Sequence, residues 1–241
     1  NQKNEILSNP DVLDAMRWLV DYRGMTETVM KGQMMVRQAF LPEDYMGALL
    51  EEPYSFDPDK AKELLAEAGH PDGISFEVTA QPNESWGTTI GEAILPMLSD
   101  AGINMTINQV EAAELGEVVA SGRFEAFLFS LQTGPDPLEA LRCLYSKTPR
   151  SACNYYNFSN AEFDALFEAA AAETDADKQL DLLRQANDLL QEEAPIWFFN
   201  YNKAVMAYQP WVHGLVPNAT ELALQPYEEI WIDDSAPDNR R

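Results

Sequence analysis

The strongest constraint on the fold is an alternation of strand-like and helix-like segments between Ile74 and Gln132. The segments ISFEVTAQ and INMTINQV predict strands, the second because its apolar and polar residues alternate. WGTTIGEAILPMLSDAG and AAELGEVVASG predict the intervening helices, and RFEAFLFSLQ predicts a strand that is covered on both faces. Each helix is long enough for a right-handed parallel crossover. We therefore predict an α/β fold with a mainly parallel sheet flanked by helices.

Helix-start signals divide the rest of the chain. Asn9 and Pro10 predict one helix over SNPDVLDAMRWLVDYRGM, and Asp57 and Pro58 predict another after an irregular connector. The pattern S-x-x-E at Ser159 predicts a capping box, and a further helix follows over DADKQLDLLRQANDLLQEEA. We expect IWFFNYN to form a buried strand. The first of these helices should bury Val12, Met16, Leu19 and Val20.

The charge balance argues against nucleic acid as a partner. The 241 residues include 16 basic and 40 acidic side chains, which give a net charge of -24. Such a surface repels nucleic acid and anionic lipid and favours solubility. No apolar run approaches the roughly 20 residues of a membrane helix. The chain opens without a signal peptide, so we expect a mature protein or a piece of a longer one.

Recognisable catalytic and metal-binding motifs are absent from the sequence. It contains no G-x-S-x-G, G-x-G-x-x-G, Walker loop or H-E-x-x-H pattern. The two histidines, His70 and His213, stand in turn or loop contexts and are predicted to be surface residues. We therefore predict neither an enzyme nor a metal or cofactor site.

The two cysteines, Cys143 and Cys153, lie in one polar loop. Their C-x₉-C spacing does not match common zinc sites, and no histidine is nearby. Two free buried thiols and a disulfide both remain open. An oxidising compartment would favour the disulfide, because a polar loop that contains Pro149 can turn back on itself.

Five segments of the chain, taken in order, form a recognisable series. They are DPDKAKELLAEAGHPDGISFEV, LPMLSDAGINMTINQVE, GRFEAFLFSLQTGPDP, CNYYNFSNAEFDALFEAAAAETDADKQLDLLRQANDLLQEEAPIWFFNYN and VMAYQPWVHGLV. This series resembles the C-terminal half of bacterial extracytoplasmic solute-binding proteins of family 5, the dipeptide- and oligopeptide-type binding components of ABC importers. The resemblance spans roughly residues 9–232. Dipeptide-type members of the family also have a cysteine pair around an N-Y segment, in a compartment where disulfides form.

The resemblance implies a periplasmic-binding-protein type II architecture. Residues 1–56 would form a helix and an irregular connector, and residues 57–195 the α/β second lobe. Residues 196–241 would be a C-terminal crossover segment and tail that return toward a first lobe, and that N-terminal lobe is absent from this chain. The implied function is the non-catalytic capture of a peptide-like or other small polar solute, in the periplasm or otherwise outside the cytoplasm, for an ABC importer permease in the membrane.

Candidate ligand-binding residues follow from the topology, because ligands of parallel sheets bind beyond the carboxyl ends of the strands. The tyrosines are neighbours in sequence, so we expect one of them to point into the core. The candidates are Asn83, Ser85, Trp86, Gln132, Thr133, Gly134, Asn154, Tyr155 and Tyr156.

One departure from the family pattern bears on the solute. Peptide-binding relatives place an Asp about four positions before the proline of "DP", where it holds the peptide's α-ammonium group. Here that neighbourhood reads Gln132, Thr133 and Gly134, and Asp136 belongs to the "DP" itself. A buried ammonium group without a carboxylate is costly, which argues against ordinary peptides recognised by a free N-terminus. Nickel chelates, sugars, opines and modified peptides are the other family solutes.

Two alternatives would reuse the same fold. A hydrolase would need a nucleophile with a base, and turnover of a peptide or ester panel would favour it. A solute-sensing protein would present its ligand to a membrane receptor, and genes for permeases and ATPases beside its own would argue against it.

Overall fold

The computed structural model describes residues 1–82, 87–128, 134, 136–203, 207–216 and 227–237. Contacts within the chain divide it into two compact units, Asn1–Tyr201 and Asn202–Arg241. None of the helices in the described ranges is long and apolar enough to cross a membrane.

The first unit begins with two helices, α1 (Pro10–Arg17) and α2 (Tyr22–Thr28), followed by β1 (Met34–Val36). Asn9 caps α1 as predicted, since its side chain accepts from the Asp11 amide. The single helix predicted here is wrong. The Asp21 side chain accepts a hydrogen bond from the Gly24 amide and so starts a second helix, because a capping oxygen satisfies an otherwise free donor. The four apolar residues predicted to be buried are all buried: Val12, Met16, Leu19 and Val20.

Six alternating elements then form the sheet and its helices. The strands lie in the order β3-β2-β4, and β2 is parallel to both neighbours. Asp57 caps the first helix, as its side chain accepts from the Lys60 amide. The predicted alternation is confirmed. The elements are α3 (Pro58–Glu67), β2 (Ile74–Ala80), α4 (Gly87–Ser99), β3 (Ile103–Gln109), α5 (Ala112–Ser121) and β4 (Ala126–Leu128).

The central strand is β2, which has three consecutive buried residues at its end, Val78, Thr79 and Ala80. We expected β4 to be covered on both faces, and this is wrong for the three residues described. Ala126, Phe127 and Leu128 are only half-buried, because β4 pairs with β2 alone and lies at an edge of the described sheet. Consecutive apolar residues therefore did not indicate a strand covered on both faces here.

A second core cluster forms around the helices that follow the sheet. These are α6 (Pro137–Leu141), α7 (Ala161–Ala172) and α8 (Ala176–Glu193), and a 3₁₀ turn covers Arg142–Leu144. The buried members of the cluster include Leu141, Phe163 and Leu183.

The start of α7 differs from the prediction. The N-cap is Asn160, whose side chain accepts from the amides of Glu162 and Phe163, and Ser159 is exposed. The expected capping box at Ser159 is therefore wrong by one residue. The rings of Phe158 and Phe163 pack together on either side of the cap, with centroids 5.6 Å apart.

The end of the first unit is less regular than predicted. Only Asn200–Asn202 forms a strand, β5, which pairs with β1, so the expected strand over all of IWFFNYN is wrong. Arg17 is 3% exposed and fixes the N-terminal helix to this region, because its guanidinium donates to the carbonyl of Gln191 at 2.8 Å and to the hydroxyl of Tyr54 at 2.9 Å. Such a cation stabilises the free carbonyls at the end of α8.

The described part of the second unit contains a short antiparallel pair, β6 (Val212–His213) and β7 (Trp231–Ile232). The imidazole of His213 lies 2.7 Å from a carboxylate oxygen of Asp233, and its ring stacks on Trp231 at 4.3 Å. Hydrogen bonds from Ser235 and His213 lower the pKa of Asp233 to about 2. A 3₁₀ turn at Tyr227–Glu229 precedes β7.

Candidate functional site

The three parallel strands end level with one another. Ala80, the last residue of β2, pairs with Gln109 at the end of β3 and with Leu128 at the end of β4. These three residues therefore lie side by side at one edge of the sheet. This is the edge at which parallel sheets bind ligands, because the ends of the strands and the following loops leave a crevice there.

The loop after β2 carries the candidates Asn83, Ser85 and Trp86, which lie outside the described residues. Its two ends are described. The Thr88 hydroxyl in the first turn of α4 donates to the Gln81 carbonyl at 3.1 Å. This bond holds both ends of the loop at the carboxyl end of β2. The ligand-binding role of the three candidates stays a prediction.

The loop after β4 carries the candidates Gln132, Thr133 and Gly134, of which only Gly134 lies within the described residues. Gly134 is half-buried, and its carbonyl accepts a hydrogen bond of 2.6 Å from the Tyr45 hydroxyl. Asp136 follows and caps α6, since its side chain accepts from the Leu138 amide at 2.9 Å. The loop is therefore held on both sides of residue 135.

No pattern in the sequence linked Tyr45 to this loop. It stands in the irregular connector, 89 positions before Gly134. Only the tertiary structure brings the two residues together.

The cysteine loop is closed by a disulfide between Cys143 and Cys153, as predicted for an oxidising compartment. Their Cα atoms are 4.9 Å apart, within the usual range for a disulfide. The bond joins the 3₁₀ turn that follows α6 to the turn that precedes Asn154.

The candidate Asn154 is 5% exposed, and its side chain closes the same loop. Its amide nitrogen donates to the carbonyls of Tyr145 and Phe158, at 3.3 and 3.0 Å, and its oxygen accepts from the Phe158 amide at 3.2 Å. Both the nitrogen and the oxygen of this side-chain amide are thus hydrogen-bonded within the chain. Its contact with a solute stays a prediction.

The neighbouring tyrosines differ in burial, as expected for adjacent side chains. Tyr156 is 5% exposed and stacks on Phe127 of β4 with ring centroids 6.1 Å apart, and burial raises the pKa of its hydroxyl. Tyr155 is half-buried and meets the same ring edge-on at 6.5 Å. Both tyrosines therefore pack against the strand that leads into the Gly134 loop. Tyr155 is the one with exposed surface available to a ligand.

Within the described ranges, no group of three or more His, Cys, Asp or Glu side chains is arranged to hold a metal ion. Among the described residues, the rings of Tyr155 and Tyr156 pack against Phe127 near the end of β4. Aromatic rings commonly line sites for small solutes.

Comparison with known proteins gives a family match. The sequence profile described as "Bacterial extracellular solute-binding proteins, family 5 Middle" matches residues 1–152, which is more than half of the chain. The chain is 26% identical over 203 residues to the glutathione-binding protein GsiB of Salmonella typhi. It is 27% identical over 201 residues to heme-binding protein A of Haemophilus influenzae.

The fold matches a solved periplasmic binding protein. The structure of DppA from Helicobacter pylori in complex with the peptide STSA superposes with a TM-score of 0.83, at 20% identity, and covers 96% of this chain and 46% of DppA. Such a likeness shows the fold, an α/β periplasmic-binding-protein type II architecture. The matches to GsiB and heme-binding protein A cover 81% of this chain but only 40% and 37% of those proteins. The chain thus spans less than half the length of these relatives.

Proposed function

The chain belongs to family 5 of the bacterial extracellular solute-binding proteins, and from this premise we propose that it forms the second lobe of a two-lobed protein that captures a solute for an ABC importer. The observation that carries the proposal is the level ending of three parallel strands at Ala80, Gln109 and Leu128, two of which lead in sequence into the candidate ligand residues. In a two-lobed protein this edge would face the other lobe, and hinge closure would enclose the solute.

The proposal also assigns a structural role to each part of the chain. Residues 57–195 would be the second lobe, and residues 196–241 would return to a first lobe that this chain lacks. Several apolar side chains of the second unit are exposed, and we propose that the first lobe covers them. They are Tyr208, Val216, Tyr227, Trp231 and Ile232, each about half exposed or more.

The solute would be a small polar or peptide-like molecule. The curated relatives are named for glutathione and heme, and the DppA structure holds a peptide. Proteins with this fold therefore bind chemically different ligands. The loop after β4 has no Asp before its "DP" motif, and we propose that the solute is not an ordinary peptide held by a free α-ammonium group. Capture would take place in the periplasm, without catalysis, and an importer permease would receive the solute.

Native mass spectrometry tests the proposal most simply. The full-length protein that contains this chain would be purified from its host without denaturation. We expect a fraction of the protein to carry an additional mass that disappears on unfolding. Calorimetry with reduced glutathione, heme and an unmodified dipeptide would then rank these three probes. A protein that carries no solute and binds none of them would contradict the proposal.

A further inference from the structure

The connector between β1 and α3 is fixed along its length despite its lack of regular structure. At one end Gln38 is 4% exposed, and its side-chain amide exchanges two hydrogen bonds with the backbone of Tyr54, both 2.9 Å long. The Tyr201 hydroxyl donates to the neighbouring carbonyls of Ala39 and Phe40, at 2.8 and 2.6 Å. The two ends of the connector are therefore held together and held to the rest of the first unit.

The middle of the connector lies directly on α8. Gly47 has a φ of +83°, and a Cβ added there would lie 2.6 Å from the Leu183 Cβ, so only glycine fits. Asn187 is 3% exposed and donates to the Gly47 carbonyl at 3.0 Å. Together with the contacts of Gln38, this fixes the backbone on both sides of Tyr45.

Tyr45 connects this fixed segment to the candidate ligand loop. Its ring packs against the second core cluster, and its hydroxyl donates to the Gly134 carbonyl. The carboxylate of Glu139 also lies close to Gly134, with one oxygen 2.5 Å from where a Cβ at residue 134 would be. Gly134 thus contacts a hydrogen-bond donor from the connector and has a side chain from α6 as a near neighbour.

We propose that Tyr45 is a positioning residue for the solute site, and that its hydroxyl holds the backbone at Gly134 in the position that meets the solute. This inference rests on the proposed function. A loop that is ordered before binding loses less conformational freedom when the solute arrives, which raises affinity. A single neutral hydrogen bond of this kind corresponds to a change in affinity of about 3- to 10-fold.

The first test is hydrogen exchange of the 241-residue chain with and without the Tyr45 hydroxyl. In Tyr45→Phe we expect faster exchange of the amides from residue 134 through α6, because the loop has lost its fixed donor. Tyr145→Phe is the matched control, since it removes a hydroxyl that bonds to Glu168 on the surface. Identical exchange in wild type and Tyr45→Phe would overturn the inference.

The second test is the affinity of the full-length protein for reduced glutathione, heme and an unmodified dipeptide. For any probe that binds, Tyr45→Phe should weaken binding about 3- to 10-fold with the same unfolding midpoint, and Tyr145→Phe should change neither. Faster exchange with unchanged affinity would overturn the role of Tyr45 in binding. A wild-type protein that binds no probe and carries no solute would contradict the proposed function, and Tyr45 would then be an anchor of the loop alone.

Discussion

Asn160 ties the start of α7 to the end of α8 with a single side chain. Its oxygen accepts from the amides of Glu162 and Phe163, at 2.9 and 3.0 Å, and its nitrogen donates to the Glu193 carboxylate at 3.0 Å. The residue therefore supplies an N-cap and a tertiary contact at once. Ser159, the neighbouring residue with a capping side chain, is exposed.

Replacing Asn160 should destabilise the chain more than replacing Ser159. Asn160→Ala removes the cap and should lower the free energy of unfolding by about 0.5–2 kcal/mol. Ser159→Ala is the matched control and should stay within about 0.5 kcal/mol of wild type, as is usual at exposed positions. Urea denaturation of the two variants measures both effects. A larger loss in Ser159→Ala would place the cap at Ser159 after all.

Local sequence signals explain part of what happens at single residues. Asn9, Asp57 and Asn160 all cap helices, and residue type alone predicted the first two. Ser159 and Asn160 both have side chains that could cap α7. Asn160 also bonds to Glu193, which lies in α8, 33 residues further along the chain. No local pattern contains that contact, so the one-residue error could not be avoided from sequence.

At the scale of elements, the cysteine loop is closed by covalent and hydrogen bonds together. The disulfide joins residues 10 positions apart, and Asn154 bonds both Tyr145 and Phe158 across the same loop. Tyr155 and Tyr156 follow directly and pack on Phe127 of β4. The disulfide therefore helps to hold the segment that brings both tyrosines to the sheet.

Reduction of this disulfide should destabilise the chain by about 2–3 kcal/mol, because the unfolded chain regains the freedom of a short closed loop. Denaturation midpoints with and without a thiol reductant measure the loss. Cys143→Ser/Cys153→Ser is the control, since reductant should not change its midpoint. Two thiols titrated in the unreduced, denatured wild-type protein would show that the bond does not form.

The strands and helices were predictable to the extent that their burial pattern is periodic. The alternation of apolar and polar residues predicted β3, because one face of this strand is buried. The capping residues predicted where α1 and α3 begin. The break between α1 and α2 and the half-burial of β4 were not predictable. The break depends on a cap at Asp21, and the half-burial depends on the strand order, in which β2 is central. The spacing of apolar residues along the chain gives no information about either.

For the whole molecule, the sequence predicts a location for the candidate site but not the contacts that support it. Parallel topology predicts a site at the carboxyl ends of the strands, and the register at Ala80 brings those ends together, while the binding of a solute there stays a prediction. The hydrogen bond from Tyr45 to Gly134 joins residues 89 positions apart through an irregular segment. A contact of that kind arises only when the whole chain has packed.

The net charge of -24 should make the stability of the chain depend on salt. Raising NaCl from about 0.01 M to about 0.1 M shortens the screening length from about 30 Å to about 10 Å, which weakens repulsion among the acidic side chains. We expect the thermal midpoint to rise over this range. An equal osmolarity of sucrose is the control for effects without charge screening. A midpoint that falls with NaCl would show that attractive ion pairs outweigh the repulsion.

The central claim is that the solute is enclosed between this lobe and another. Each lobe of such a protein supplies part of the contact surface, and a single lobe leaves its face open to water. The 241-residue chain should therefore bind far more weakly than the full-length protein.

Calorimetry tests this claim most directly, with the 241-residue chain and the full-length protein titrated against the same probe, whichever of reduced glutathione, heme or the dipeptide the full-length protein binds. We expect the chain to bind at least about 100-fold more weakly, because it keeps only part of the contact surface. Circular dichroism of the chain serves as the control for folding. Equal affinities in a folded chain would mean that the site lies within this lobe alone, and would contradict the two-lobed account.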